Sequence, residues 1–228
     1  MLARVLLTDS DAQVRRTAAW GLNELRTAQG RDALIRALRS DVDWQVRETA
    51  AWALAEYRGD VVASALVEGL RDKNAEVRSI SAWGIANIGS KKNVGDLESV
   101  LSDSNDEVRE MAIWAIGQLG LKSAPVTIVN ALTDNSQQIR VVAAWALGEI
   151  ADASTVNAIA KAFQTETSSE VKKAELRALG EIGTMPQAVL DAALKSSDPE
   201  LRRQAVSALA GGGDNSWPWP RPNPRPNP

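Results

Sequence analysis

The chain has 228 residues, a formal net charge of −3, and neither Cys nor His. The absence of Cys and His excludes disulfides and removes the commonest metal ligands and general acid–base groups, so we expect no enzyme activity, no metal and no cofactor. The weakly acidic balance is unlike the basic surface of a nucleic-acid-binding domain. No apolar run approaches the roughly 20 residues that cross a bilayer, so we expect no membrane insertion by this chain.

A motif recurs every 30–32 residues over residues 1–210. It consists of an Asp, five residues, an Arg and an Ala-rich segment with a Trp, and its clearest copy is Asp41–Leu54. The Arg position is occupied in successive copies by Arg15, Arg47, Arg78, Arg109, Arg140, Lys172 and Arg202, and Asp9, Asp41, Asp72, Asp103 and Asp134 precede the first five of them. A fixed period of this length is the signature of a repeat array.

Each period contains two helical patterns, here called helix A and helix B. The first A helix is short, Met1–Leu7, and later A helices are predicted near Val61–Arg71 and Ser123–Thr133. Each B helix begins near the Val-Arg pair, and one face of the second B helix is apolar at helical spacing: Val46, Ala50, Ala53, Leu54 and Tyr57. Glycines are predicted to end helices between repeats: Gly59, Gly89 and Gly120.

These patterns predict an all-α chain, an α-solenoid of about seven helix pairs whose first pair is incomplete. Because the first A helix is short and apolar, we expect the chain to be the C-terminal part of a longer protein. The alternative is a short natural start that dimerises through that end.

The Asp-x4-Val-Arg spacing and the Ala-rich B helix resemble the HEAT repeat family over Met1 to Ala210. The segment Ala143–Ile150, Ala-Ala-Trp-Ala-Leu-Gly-Glu-Ile, looks most like the PBS-lyase HEAT-like subgroup. Copies six and seven depart from this pattern, with Arg177 and Ser207 at the Trp position. The resemblance implies a solenoid whose B helices line one continuous surface, and a role in protein–protein interaction.

Two charged columns follow the period. In the HEAT family the matching Asp and Arg are thought to alternate between adjacent repeats, which implies a structural ladder here rather than a ligand site. Its members are Asp41, Arg47, Asp72, Arg78, Asp103, Arg109, Asp134 and Arg140. Such pairs fix the register between repeats even where each contributes only about 0–1 kcal/mol.

Five B helices carry a Trp at one position, and we call this set the tryptophan column: Trp20, Trp52, Trp83, Trp114 and Trp145. A helical wheel places these residues away from the core face, beside small residues and close to Glu56, Gln118 and Glu149. One interpretation is that each ring packs on the neighbouring B helix, with the small residues as sockets. The other is an aromatic groove for a ligand, because Trp is enriched at binding hot spots.

After Ala210 the composition changes to a Gly hinge followed by a Pro- and Trp-rich tail. We therefore divide the chain into a solenoid, 1–210, and a tail, 211–228, predicted to be polyproline II or disordered. Pro-rich strands dock on aromatic grooves, so Trp217, Trp219, Arg221 and Arg225 are candidate contacts with the tryptophan column.

The function that the sequence favours is a non-catalytic scaffold that binds a protein or an extended peptide, its own Pro-rich tail being one candidate. The resemblance leaves two alternatives, a PBS-lyase-like protein that handles a bilin and a docking or sensing domain of a bacterial membrane metallopeptidase. The compartment stays open: a soluble chain in the cytoplasm or, if it is part of a membrane sensor, outside the cytoplasm.

Overall fold

The computed structural model describes residues 1–209, which form α-helices and two 3₁₀ turns and contain no strand. The predicted all-α class is confirmed. Helix A is shorter than helix B in every described pair except the second, in which helix A, Ala28–Ser40, has 13 residues and helix B, Trp44–Leu54, has 11. The B helices have 11–14 residues each: α2 (Ala12–Leu25), α4 (Trp44–Leu54), α6 (Ala75–Asn87), α8 (Asp106–Gln118), α10 (Gln137–Ile150), α12 (Ser169–Ile182) and α14 (Pro199–Leu209).

The A helices vary from 5 to 13 residues: α1 (Leu2–Thr8), α3 (Ala28–Ser40), α5 (Asp60–Gly69), α7 (Val94–Glu98), α9 (Val126–Ala131), α11 (Val156–Thr165) and α13 (Gln187–Leu194). The 3₁₀ turns Lys91–Asn93 and Ala153–Thr155 precede α7 and α11.

Most B helices begin at a residue whose side chain caps the first turn, although Ser136 before α10 makes no such bond. Asp43 accepts hydrogen bonds from the backbone N–H groups of Gln45 and Val46, and Asn74 does the same for α6. Such caps satisfy the N–H groups that a first helical turn leaves without partners. The connections between repeats use left-handed residues, and Gly89 and Gly120 have φ values of 70° and 58°.

The described residues fall into two compact units, which we treat separately: Met1–Ala115, and Ile116 to the last described residue. In the first unit, α2, α4 and α6 pack side by side, and α1, α3 and α5 do likewise. In the second, α10 packs on α12 and α12 on α14, while α11 packs on α13. Within each unit a repeat therefore contacts the next one through like helices.

The core of each pair is lined by aliphatic side chains and alanines. The predicted apolar face of α4 is buried, including Val46, Ala50 and Leu54, and the Tyr57 hydroxyl donates a 2.8 Å hydrogen bond to the Leu22 carbonyl. Alanine at the centre of the B helices lets neighbouring backbones approach closely. No helix within residues 1–209 is long and apolar enough to cross a membrane.

Candidate functional site: the charged ladder and the tryptophan column

In the first unit the predicted ladder residues form bidentate ion pairs between successive repeats. The Arg47 Nε and Nη2 atoms donate to the two carboxylate oxygens of Asp72 at 2.6 and 2.8 Å. The same geometry joins Arg15 to Asp41 and Arg78 to Asp103. Two parallel hydrogen bonds fix both distance and orientation, so each pair sets how one B helix lies on the next.

Each arginine also holds the loop of its own repeat. The Nη1 atom of Arg47 donates to the Asp41 carbonyl at 2.9 Å, and Arg78 and Arg109 make the same contact with Asp72 and Asp103 at 2.9 and 2.8 Å. The partner acid in turn accepts a hydrogen bond from a backbone N–H two residues later. One arginine therefore ties together the A–B turns of two repeats.

The electrostatics of the ladder match this structural role. Burial alone would raise the pKa of Asp72, but hydrogen bonds from Arg47 and from the Asn74 N–H outweigh it and lower that pKa. Asp103 has a lowered pKa for the same combination of reasons, with Arg78 as its partner. The hydrogen bond to Asp72 raises the pKa of Arg47. Because each carboxylate is already bound by a guanidinium, it has little capacity left for a ligand.

The second unit continues the ladder with different residue types. Arg140 binds Glu166 at 2.6 and 3.2 Å and donates to the Asp134 carbonyl at 2.8 Å. Lys172, at the ladder position of the sixth copy, lies over the Phe163 ring instead, at 5.5 Å. The next residue, Lys173, makes the ion pair with Asp198 at 2.8 Å.

The two remaining ladder residues, Arg109 and Asp134, make contacts within their own units. Arg109 pairs with Asp106 at 2.9 Å, three residues earlier on the same helix. Asp134 accepts a hydrogen bond from the Ser136 N–H at 2.8 Å, as the other ladder acids do in their turns.

Four members of the tryptophan column are buried, with 5–9% of their surface exposed: Trp52, Trp83, Trp114 and Trp145. Trp20 is half-buried and stacks on Trp52, with ring centroids 4.4 Å apart and an angle of 10° between the planes. Offset stacking of this kind adds about 0.5–1.5 kcal/mol beyond area burial. Of the two interpretations of the column, the structure therefore favours packing between repeats for most of the rings.

The small residues beside the column receive these rings. A Cβ atom at Gly117 would lie 2.9 Å from Cζ3 of Trp145, so only glycine leaves room for the indole there. The equivalent glycine of α12, Gly180, is exposed and would have no atom within 4 Å of a Cβ. The difference follows from the sequence, because the copy after Gly180 has Ser207 in place of Trp.

One helical turn after each Trp, and after Arg177 at the Trp position of the sixth copy, lies a polar residue. We call this set the polar row: Glu24, Glu56, Asn87, Gln118, Glu149 and Glu181. Glu24, Gln118, Glu149 and Glu181 are exposed, whereas Glu56 is partly covered and pairs with Arg26 at 3.0 Å. The Asn87 amide donates to the Ala55 carbonyl at 2.9 Å and so caps α4. The exposed members are available to a partner.

A cleft of about 690 Å³ in the first unit runs along the ladder turns, lined among others by Arg39, Glu68, Arg71 and Lys73. Arg39 and Glu68 form a bidentate pair across it. Within residues 1–209 no group of three or more acidic side chains could hold a metal ion. Trp217, Trp219, Arg221 and Arg225, the predicted tail contacts, lie outside the described residues.

Paired helices stacked like on like, with a charged ladder in the A–B turns, define an α-solenoid repeat protein. The chain belongs to the HEAT repeat family, whose profile matches residues 1–79, 63–128 and 125–210. The resemblance identified in the sequence is therefore confirmed. No curated protein matches the sequence.

Several solved structures share the fold. The Escherichia coli protein YibA is 22% identical, with 92% of this chain and 91% of that chain covered and a TM-score of 0.59. The CpcE–CpcF complex of the Nostoc phycocyanin lyase is 21% identical over 91% and 85% of the two chains, with a TM-score of 0.57. A designed armadillo repeat protein in complex with the peptide (KR)4 is 21% identical over 92% and 97%, with a TM-score of 0.50. At these identities the likeness concerns the fold.

Proposed function

We propose that this chain is a non-catalytic scaffold that binds an extended, basic peptide segment of a partner protein along its B helices. Within each compact unit, the binding surface consists of that unit's exposed polar-row residues together with the exposed parts of its Trp rings. The observation that carries the proposal is the register of these two sets: every polar-row residue except Glu181, which follows Arg177, lies one turn from a Trp on the same helix face. Rigid helices packed on their neighbours hold both sets in place.

The chemistry of the polar row points to the class of ligand. Glu149 and Glu181 are exposed carboxylates on successive B helices of the second unit, and Gln118 adds an amide. Carboxylates bind Lys and Arg side chains, while amides bind the backbone of an extended chain. The designed armadillo protein, which has this fold, binds the basic peptide (KR)4, and that supports the same class of ligand here.

The aromatic contribution is limited by burial. Trp20 is half-buried, whereas the other four are only 5–9% exposed. The indole edge and its neighbouring small residues supply apolar contacts to a proline or aliphatic side chain, as aromatic-lined grooves do for Pro-rich ligands. The main role of the column in binding is to hold the polar row rigid.

The Pro-rich tail of the chain is a ligand of the proposed class. Its last twelve residues contain Arg221 and Arg225 between prolines, so they supply the cationic side chains that the carboxylates of the polar row can bind. An intramolecular ligand has a high effective concentration and competes with outside partners.

The non-catalytic part of the proposal is supported by residue content. The chain has no His and no Cys, and the buried charged pairs of the ladder are engaged with each other. The exposed members of the polar row are carboxylates and amides, and the repeat motif places no Cys or His beside them.

The test is fluorescence anisotropy of two labelled peptides, residues 214–228 and (KR)4, titrated with the full chain. We expect both to bind with an affinity that falls as salt rises, because the contacts are ionic. The variant Glu149→Lys should weaken binding several-fold, and the matched control Asp191→Lys, an equal charge change on A helix α13, should not. Removal of residues after Ala210 should strengthen binding of either peptide.

Two results would contradict the proposal. If Glu149→Lys and Asp191→Lys weakened peptide binding equally, the effect would come from the net charge of the chain and not from the polar row. No binding of either peptide by the full chain or by the chain ending at Ala210 would exclude this class of ligand.

A further inference from the structure

A carboxylic acid lies in the core of the second unit where other repeats have a small residue. Glu175 is on α12, three residues after the ladder position of its copy. The equivalent residues of the other six B helices are Ala18, Ala50, Ser81, Ala112, Ala143 and Ala205. Copies one to five and copy seven thus have a small residue at the buried centre of helix B, whereas the sixth copy has an acid there.

The acid is completely enclosed. Glu175 has 0% of its surface exposed, and neither carboxylate oxygen has a hydrogen-bond partner. Helices α10, α11 and α14 pack on α12, and each of them has buried apolar side chains, among them Val142, Phe163 and Leu201. A buried carboxylate without hydrogen bonds is among the most costly groups in a protein, whereas the protonated acid is tolerated.

The nearby charged groups do not neutralise it. Arg140 of α10 donates its guanidinium hydrogen bonds to Glu166, the acid of the turn before α12. On α12 itself Lys172 lies over the Phe163 ring. Burial and the charge of Glu166 raise the pKa of Glu175 to about 8, against the weaker opposing effects of Lys172 and Arg140.

We propose that Glu175 is a proton-controlled latch on the packing of α12: the helix is closed against α10, α11 and α14 while the carboxyl is protonated, and it opens locally when the carboxyl ionises and moves to water. The latch acts near neutral pH in a segment whose neighbours carry no equivalent group. It therefore loosens one helix pair of the array without involving the others, as repeat proteins allow.

The direction of the pH dependence follows from linkage. Glu175 holds its proton in the closed state up to about pH 8 and loses it in the open state above the ordinary glutamate value near 4.3. Opening therefore releases one proton in this interval, and the opening constant rises about tenfold for each pH unit. Above about pH 8 the effect levels off.

The experiment is hydrogen–deuterium exchange with mass spectrometry on the full chain at pH 6, 7 and 8, comparing the native sequence with Glu175→Gln. Gln has the same shape and does not ionise. At each pH we divide the exchange rate of the native chain by that of the variant, which cancels the intrinsic pH dependence of exchange. We expect this ratio for α12 peptides to rise about tenfold per pH unit, and the ratio for α4 peptides to stay near one.

The controls separate the latch from other effects. Glu181→Gln, the same change at an exposed site of α12, should behave like the native chain. If Glu175→Gln does not fold, Glu175→Ala restores the residue of five other copies and serves as the reference. A ratio for α12 that does not change with pH would overturn the proposal, and so would an equal rise in α4, because that would be unfolding of the whole chain.

Discussion

Breaking one ladder pair should destabilise the chain far more than breaking a surface ion pair. The change we consider is Asp72→Ala, which removes both hydrogen bonds to Arg47. The two side chains of this pair are only 5% and 11% exposed, so the guanidinium would be left buried without its counter-ion. The matched control is Glu56→Ala. In its pair with Arg26, the Glu56 side chain is 34% exposed and the Arg26 side chain 59%.

The expected magnitude follows from burial and from the bonds that remain. Removing one partner of a buried pair costs about 3–5 kcal/mol. Arg47 keeps its bonds to the carbonyls of Asp41 and Val42, so we expect the lower end, about 3 kcal/mol for Asp72→Ala. The exposed control should cost less than about 1 kcal/mol.

The assay is urea unfolding followed by far-UV circular dichroism at pH 7, with Arg47→Ala and the double variant completing a mutant cycle. Because repeat arrays can unfold in parts, amide exchange of α4 and α6 is measured on the same variants. The double variant should be less destabilised than the sum of the single changes. Equal losses for Asp72→Ala and Glu56→Ala, or strictly additive losses in the cycle, would refute the structural role of the ladder.

Two further predictions concern the sockets of the tryptophan column and the acid limit of stability. Gly117→Ala should lower the free energy of unfolding by about 1–3 kcal/mol, since its Cβ would collide with the Trp145 ring, whereas Gly180→Ala should raise it by about 0.4–1 kcal/mol through helix propensity alone. Urea midpoints of the two variants test this, and equal effects of the same sign would contradict it. Because the pKa values of Asp72 and Asp103 are lowered, their stabilisation is complete above the ordinary aspartate value near 3.9 and is lost as the pH falls through the lowered values. A midpoint that does not fall between pH 4 and pH 2 would contradict this prediction.

The repeat period made most of the fold predictable. Seven B helices lie where the Val-Arg pairs predict them, and the first A helix, predicted as Met1–Leu7, is observed as Leu2–Thr8. The A helix predicted at Ser123–Thr133 is shorter, Val126–Ala131, because Pro125 provides its N-cap. Local signals of capping and periodicity act within one repeat, so they can be recognised without knowledge of the neighbours.

The environment of the site residues was harder to predict. A helical wheel describes one helix, and it places Trp52 away from the core of its own pair. In the structure Trp52 is only 5% exposed, because the next B helices cover that side as well. A neighbouring helix also explains why Lys173, and not Lys172, makes the ion pair with Asp198. Lys172 lies over the Phe163 ring of α11 instead. Glu175 was missed because an acid within an amphipathic helix gives no signal of burial until its neighbours are known.

The ladder also limits how the length of such a chain can change. In the pairs Arg15–Asp41, Arg47–Asp72, Arg78–Asp103 and Arg140–Glu166, the arginine of one repeat binds the acid of the next. The loss or gain of a complete period among such repeats leaves each of these charges with a partner. A partial period leaves one buried guanidinium and one buried carboxylate unmatched, at the cost estimated above for a broken pair. Lys173 and Asp198 are different, because they pair from positions that the other copies do not use. The last two repeats are therefore joined by an ion pair of a different kind from the Arg–acid pairs of the earlier repeats.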